Sequence, residues 1–171
     1  MELNDKNMIE TLWFYKLETI IGKIVIIKSK DGLRSIDLFD EEILINEKRA
    51  RFIESREKCE DEINQLIEYF NGDRKYFDLK LDIEGTNFRK KVWKELCNIP
   101  YGEVRSYKDI AIAIGNEKAV RAIGQANKAN PIPIIIPCHR VIGKNNKLVG
   151  YAGNHTDVQE KLIDLERRFN L

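Results

Sequence analysis

The stretch SYKDIAIAIGNEKAVRAIGQANKANPIPIIIPCHRV, residues 106–141, decides how the second half of this chain is read. Ser106-Tyr107-Lys108-Asp109 has the pattern of a helix capping box, with Asp109 in the place usually given to Glu. It predicts a short helix carrying Ile110, Ala113 and Ile114, which Gly115-Asn116 ends. A second short helix is expected over residues 117–126. Two short helices joined by a tight glycine turn fit a helix-turn-helix, although the pattern by itself favours a simple αα-hairpin that only fills a core. The second helix is built of small residues, Ala119, Ala122, Gly124 and Ala126, with Arg121 as the one long cation near its middle. That surface suits close approach to a backbone or a shallow groove more than base reading by long polar side chains. Asn130-Pro131 then begins a turn, and residues 132–136 are apolar and β-branched, as in a buried strand or extended segment. Pro137 closes that segment directly before Cys138-His139-Arg140.

A cysteine at the end of a rigid buried segment, beside a histidine, is a candidate nucleophile. A free thiol of pKa ~8.5 is only a few per cent thiolate at neutral pH, and a neighbouring base or cation raises that fraction. Adjacency alone is also compatible with a small buried cysteine next to a surface histidine. The last helix bears on the choice. Val158, Leu162, Leu165 and Phe169 form an apolar stripe, and Glu166 lies beside it. A carboxylate there either pairs with His139, in a chain that orients the imidazole to take the thiol proton, or reaches solvent and pairs with an arginine. In the first case an imidazolium is expected to lower the Cys138 thiol.

Towards the amino terminus the pattern changes. Residues 11–17, 23–28 and 33–38 alternate like short strands, with Gly22 and Asp31-Gly32 as turns. Ser55 is a candidate cap for a helix ending near Phe70, with Ile63, Leu66, Ile67 and Phe70 on its apolar stripe. Phe77, Leu79, Leu81 and Ile83 alternate like a further strand. Thr86 then precedes a helix with Phe88, Val92, Trp93 and Leu96 on one side, stopped at Pro100 and Gly102.

The chain has 171 residues, 43% of them hydrophobic and 33% charged, in the range of an ordinary globular protein. Its first residues are too polar for a signal peptide, and no apolar run approaches the ~20 residues of a membrane helix. Three cysteines at wide spacing argue against a disulfide framework and for a reducing cytoplasm. Two histidines and no Cys-x-x-Cys leave no basis for a metal site. The net charge of +1 conceals an asymmetry. Residues 1–84 hold 14 Lys and Arg against 20 Asp and Glu, or −6, and residues 85–171 hold 15 against 8, or +7. A basic second half fits a polyanionic partner, or else an uneven but merely solvated surface.

From Thr86 to Gly153 the sequence resembles, without a gap, the alkylguanine-DNA alkyltransferases (methylated-DNA–protein-cysteine methyltransferases). FRKKVWKEL, IPYGEVRSYKDIA, AVRAIGQANKANPIPIIIPCHRVIG and GYAG carry the resemblance, and Pro-Cys-His-Arg-Val preceded by Asn-Pro is its most specific part. The first 84 residues match loosely, as the family's variable domain does. The resemblance implies an α+β fold: a small ribonuclease H-like α/β domain (1–84) packed on a mainly helical domain (85–171) containing a helix-turn-helix. It implies single-turnover DNA repair, with the alkyl group of the guanine 6-oxygen, or of the 4-oxygen of alkylthymine, passing irreversibly to Cys138. His139 would be the base, acting through water, and Glu166 the carboxylate that holds it. Asn130 would brace the turn, and Tyr107 would serve the leaving guanine. Arg121 would be the finger that fills the gap left by the flipped base, on a helix whose Ala119, Ala122, Gly124 and Gln125 meet the minor groove. Val141, Tyr151 and Ala152 would line the pocket. The implied partner is double-stranded DNA bound by a monomer, with no cofactor or metal. The sequence departs from the family at Asn154, where a second glycine is common, and in one extra residue before Glu166. Two rival readings are a cysteine hydrolase or acyltransferase using Cys138, His139 and Glu166 without DNA, and a DNA-binding relative that recognises alkylguanine without repairing it. Arg121 on a small-residue helix has no use in the first, and Cys138 itself argues against the second.

Overall fold

The computed structural model describes residues 8–38, 50–151 and 155–171. The first half is a four-stranded sheet with one helix. Strands β1 (Glu10–Thr19), β2 (Gly22–Ser29) and β3 (Gly32–Asp37) form an antiparallel meander, and β4 (Ala50–Glu54) joins the free edge of β1 in parallel, giving the order β3-β2-β1-β4. The pleat sorts β2 by side: Ile24 and Ile26 enter the main core, while Val25 and Ile27 join Leu12 in a smaller cluster. Sequence reading overlooked β4, whose ARFIE mixes charges with single apolar residues.

Helix α1 (Glu60–Phe70) begins five residues after the expected cap. Ser55 caps a preceding turn instead, its Oγ accepting from the Lys58 N–H at 3.1 Å. The buried stripe of α1 is also rotated from the expected one, to Ile63, Leu66 and Tyr69, leaving Ile67 exposed. Residues 77–83 form no strand. Burial alternates from Phe77 to Leu81, but the only ladder contact among the described residues is Leu81 bridging Leu33 in a single rung at the start of β3, and further along β3 the Ile36 N–H is taken by the Pro131 carbonyl. That rung passes Gly32, at φ +146°, where a Cβ would stand 2.5 Å from the Lys80 carbonyl oxygen.

The second half is mainly helical. Helix α2 (Asn87–Leu96) is capped by Thr86, whose Oγ accepts from the Arg89 N–H. Helix α3 (Tyr107–Ala113) starts on the expected capping box, with both bonds between Ser106 and Asp109 formed. It ends at Gly115, at φ +79°, where the Asn116 N–H returns to the Ala111 carbonyl as in a Schellman turn. Helix α4 (Val120–Lys128) follows, two to three residues later than expected, and the chain finishes with α5 (Thr156–Phe169). The Trp93 indole N–H donates to the Ala126 carbonyl at 2.8 Å, fastening α2 to α4. Strand β5 (Arg105–Ser106) pairs in parallel with β6 (Val141–Ile142), which sets Tyr107 beside the Cys138 segment.

The expected extended segment at 132–136 is instead a compact turn. The Ile136 N–H donates to the Ile132 carbonyl at 2.9 Å, and Ile134 sits at φ +76°. A β-branched residue rarely adopts that conformation, and holding it requires strong packing. Ile132, Ile134 and Ile136 supply it by entering the core, each almost fully buried. One continuous core joins the sheet and α1 to the helices of the second half. The Ile36 N–H of β3 also donates to the Pro131 carbonyl at 3.0 Å, so the sheet grips the turn that leads to Cys138. No helix among the described residues is long and apolar enough to cross a membrane.

Candidate active site

Cys138 opens a single 3₁₀ turn, Cys138–Arg140, that directly follows the Ile132–Pro137 knot. Asn130 braces that knot from both sides: its Oδ1 accepts from the Ile132 N–H and its Nδ2 donates to the Ile136 carbonyl, each at 2.9 Å. Cys138 is 5% exposed and lines a cavity of about 360 Å³. The second half contributes Asn127, Asn130, Pro133 and Tyr151 to its wall, and the end of β3 contributes Ser35 to Leu38.

Burial pushes the Cys138 thiol up to about 11, against the opposing pull of Asn130 and of the backbone amides of Cys138 and His139. This corrects the expectation of a lowered thiol: desolvation outweighs every stabiliser of the anion. At neutral pH the protonated thiol therefore predominates. A reaction at this sulfur would then require a nearby base to take the proton.

His139 is completely buried, and its Nε2 meets Oε1 of Glu166 at 2.6 Å. Glu166 is itself 1% exposed and held by several donors. Arg140 grips it with a fork, Nε to Oε2 at 2.8 Å and Nη2 to Oε1 at 2.9 Å. The Tyr69 hydroxyl donates to Oε1 at 2.8 Å and the Gly102 N–H to Oε2 at 3.3 Å. Burial opposes ionisation of this carboxylate, but His139 and Arg140 overcome it and hold Glu166 far below the usual carboxylate range. An ionised carboxylate only accepts, so in the neutral ring Nε2 carries the hydrogen and Nδ1 the free lone pair. Nδ1 is buried and meets no protein group among the described residues. The neutral ring therefore presents a base on the side away from Glu166. Glu166 pairs with His139 as in the first reading, and the second is corrected: it does pair with an arginine, but both are buried and the carboxylate does not reach solvent. The extra residue before Glu166 has not carried it away from His139.

Tyr107 begins α3 and donates to the Val149 carbonyl at 3.2 Å. Burial raises its phenol, Asn127 lowers it by a hydrogen bond, and Cys138 lies near enough to raise it further. Tyr151 is buried in the cavity wall, its phenol held well above the ordinary value by desolvation and then by Cys138. Val141 is fully buried, and Ala152 lies outside the described residues. On α4, Arg121, Ala122 and Gln125 are exposed, and Gly124 is half-buried at the edge facing Tyr107. Ala119 differs from them. It is buried as the residue before α4, and Ala126 is buried as well, so these two small residues serve packing against the core rather than the exposed face.

Sequence reading missed three groups. Arg140 was not assigned to Glu166, Tyr69 was not placed on the buried stripe of α1, and Gln159 was passed over. Gln159 is buried on α5 and its Nε2 donates to the carbonyls of His139 and Val141, at 3.1 and 2.9 Å. Its one-residue offset from Val158 on the apolar stripe was the available signal.

Two family models match the chain: the ribonuclease-like domain of 6-O-methylguanine DNA methyltransferase over residues 13–83, and the DNA-binding domain of the same protein over residues 87–168. A constitutive methylated-DNA–protein-cysteine methyltransferase of Bacillus subtilis is 45% identical over 157 residues, covering 91% of this chain and 95% of its own. The methylated-DNA–protein-cysteine methyltransferase of Methanosarcina barkeri is 47% identical over 155 residues, covering 91% and 97%. Among solved structures, a Mycobacterium tuberculosis OGT in complex with DNA superposes with a TM-score of 0.82 at 36% identity, covering 93% of this chain and 94% of the other. The buried cysteine beside a histidine–carboxylate pair, in a basic helical half, is thus found in a chain whose relatives act on DNA. The chain belongs to the methylated-DNA–protein-cysteine methyltransferase family.

Proposed function

We propose that this protein repairs double-stranded DNA by taking the alkyl group from the 6-oxygen of an alkylated guanine, and also from the 4-oxygen of alkylthymine, onto Cys138. DNA repair by alkyl transfer to a protein cysteine is the activity of the family to which the chain belongs. The observation that carries the assignment of Cys138 is its position at the wall of a cavity, one residue before a histidine fixed by a buried carboxylate.

In this reading the Cys138 sulfur attacks the alkyl carbon, an S–C bond forms, and the C–O6 bond breaks with its electron pair going to the guanine. The thiol proton passes through a water to Nδ1 of His139. Tyr107 gives its phenol proton to the leaving guanine ring and regains one from solvent, while His139 returns its proton to solvent, so the net change is one proton from thiol to guanine and no co-reactant is consumed. Val141 offers its carbonyl to the guanine amino group, and Tyr151 and Ala152 complete the pocket. The thioether is stable to water, so each molecule acts once.

A base inside a duplex is beyond reach of a buried sulfur and must be flipped out, at a cost of a few kcal/mol. We assign this to α3 and α4 acting as a helix-turn-helix, with α4 in the minor groove and Arg121 in the vacated position. The exposed Ala122, Gln125 and half-buried Gly124 allow that approach. The sheet unit, residues 1–84, is read as ribonuclease H-like, residues 85–171 as the DNA-binding and acceptor unit, and the protein as a cytoplasmic monomer.

Intact-mass and peptide measurements after mixing with a methylated-guanine duplex test the reading. One methyl group per protein, on Cys138, is expected, and an adduct on Cys59 or Cys97, or repeated turnover, overturns it. Arg121→Ala should slow reaction with the duplex at least tenfold more than reaction with free benzylguanine, as only the duplex requires extrusion of a base.

A further inference from the structure

Glu166 lies on the last helix, yet one of its donors comes from the other half of the chain. Tyr69 is fully buried on α1, its ring edge-on to Phe70 and Tyr101 with centroids 5.3 and 6.2 Å away. Its hydroxyl donates to Oε1 of Glu166, the same oxygen that meets Nε2 of His139. The groups that face this carboxylate are His139, Arg140, Tyr69 and the Gly102 N–H, with Tyr101 beside them under the Arg140 guanidinium. Tyr69 is the one that belongs to residues 1–84.

We propose that Tyr69 is a positioning residue for the acceptor site, fixing the Glu166 oxygen that holds His139, so that the sheet unit takes part in activating the thiol. The inference rests on the reading of Cys138 as acceptor. Arg140 and Gly102 bind both oxygens or Oε2, whereas Tyr69 approaches Oε1 alone. Losing its hydroxyl therefore acts on the oxygen that orients the imidazole, while the Arg140 fork keeps the carboxylate buried and paired. Each donor to a carboxylate also favours its ionised form. His139 and Arg140 keep Glu166 ionised in either case, so losing Tyr69 should lower the rate through misplacement of the imidazole and not through protonation of the carboxylate.

Tyr69→Phe removes one oxygen and leaves the ring packing. The single-turnover rate of benzylguanine transfer is measured against pH, with thermal melting alongside. A rate lower by about tenfold at every pH and a melting point within a few degrees of wild type are expected. In a Glu166→Gln background the same substitution should have no further effect on rate, since the partner through which it acts is gone. Incorporation of 3-fluorotyrosine at 69, which keeps ring and donor, should retain the wild-type rate. A folded Tyr69→Phe protein with the wild-type rate and profile overturns the inference, as does an equal loss in both backgrounds. A wild-type protein that never alkylates Cys138 overturns the acceptor reading itself, and this inference with it, which is a different result from a reactive wild type matched by its variant.

Discussion

Each half of the molecule holds an ionic cluster that includes an arginine, and the two clusters differ in almost everything that decides their energy. In the sheet unit Arg34 binds Glu10 at 2.6 Å and Asp82 at 2.7 Å, with Ser29 donating to the same Asp82 oxygen. These side chains are 19–45% exposed. The hydrogen bond from Ser29, and then that from Arg34, lowers the Asp82 carboxyl, and Arg34 in turn is raised by Glu10 in spite of its own partial burial. In the helical unit Arg140 and His139 bind Glu166 at similar distances, but all three are nearly inaccessible. Water can replace any member of the first cluster and none of the second. The same ionic bonds are therefore dispensable in one place and indispensable in the other.

The sharpest way to break the comparison is Glu166→Gln. Arg140 would keep its charge in a buried site with its carboxylate partner gone and only the Ile99 carbonyl left as a charge-free acceptor, and the expected loss of stability is about 3–5 kcal/mol. Urea unfolding at pH 7 measures it, and a loss below 1 kcal/mol would place the Glu166 cluster in the same class as the Arg34 cluster. The second prediction uses pH. The Glu166 carboxyl is held below its unfolded value of ~4.3, so its contribution is fully present above that pH and fades as pH falls towards its folded value. The gap between wild type and Glu166→Gln should therefore narrow by about 1.4 kcal/mol per pH unit below pH 4. A gap that widened in acid would reverse the assigned sign. The smallest effect belongs to the sheet unit: Arg34→Met should cost no more than about 1 kcal/mol. That cost should shrink when salt rises from 0.05 to 0.5 M, while the Glu166→Gln cost stays unchanged.

The elements that could be read from sequence are those whose determinants lie within one or two turns of chain. Thr86, Ser106 with Asp109, and Gly115 each specify a helix end by bonds spanning at most five residues, and each is formed as expected. The failures share a different cause. Residues 77–81 alternate in burial, yet whether alternation becomes a strand depends on a free neighbouring edge, and β3 offers one rung. Residues 132–136 have the composition of a strand, but burial of three isoleucines and the clasp of Asn130 favour a knot with Ile134 at positive φ. The Cys138–His139 pair and Glu166 were legible as candidates, because one is a contiguous motif and the other a carboxylate beside a helical apolar stripe. Tyr69, Arg140 and Gln159 were not, since their partners lie 97, 26 and 18–20 residues away.

The sequence alone determined the helix caps and turns, the charge contrast between the halves, and the contiguous Asn130–Val141 motif, all of which depend on neighbours along the chain. The tertiary structure decided which atoms share Oε1 of Glu166 and how strongly burial holds the Cys138 proton. It also decided which face of α4 remains free for a partner. Those outcomes depend on dielectric and on packing between distant segments, and no local pattern of residues carries either.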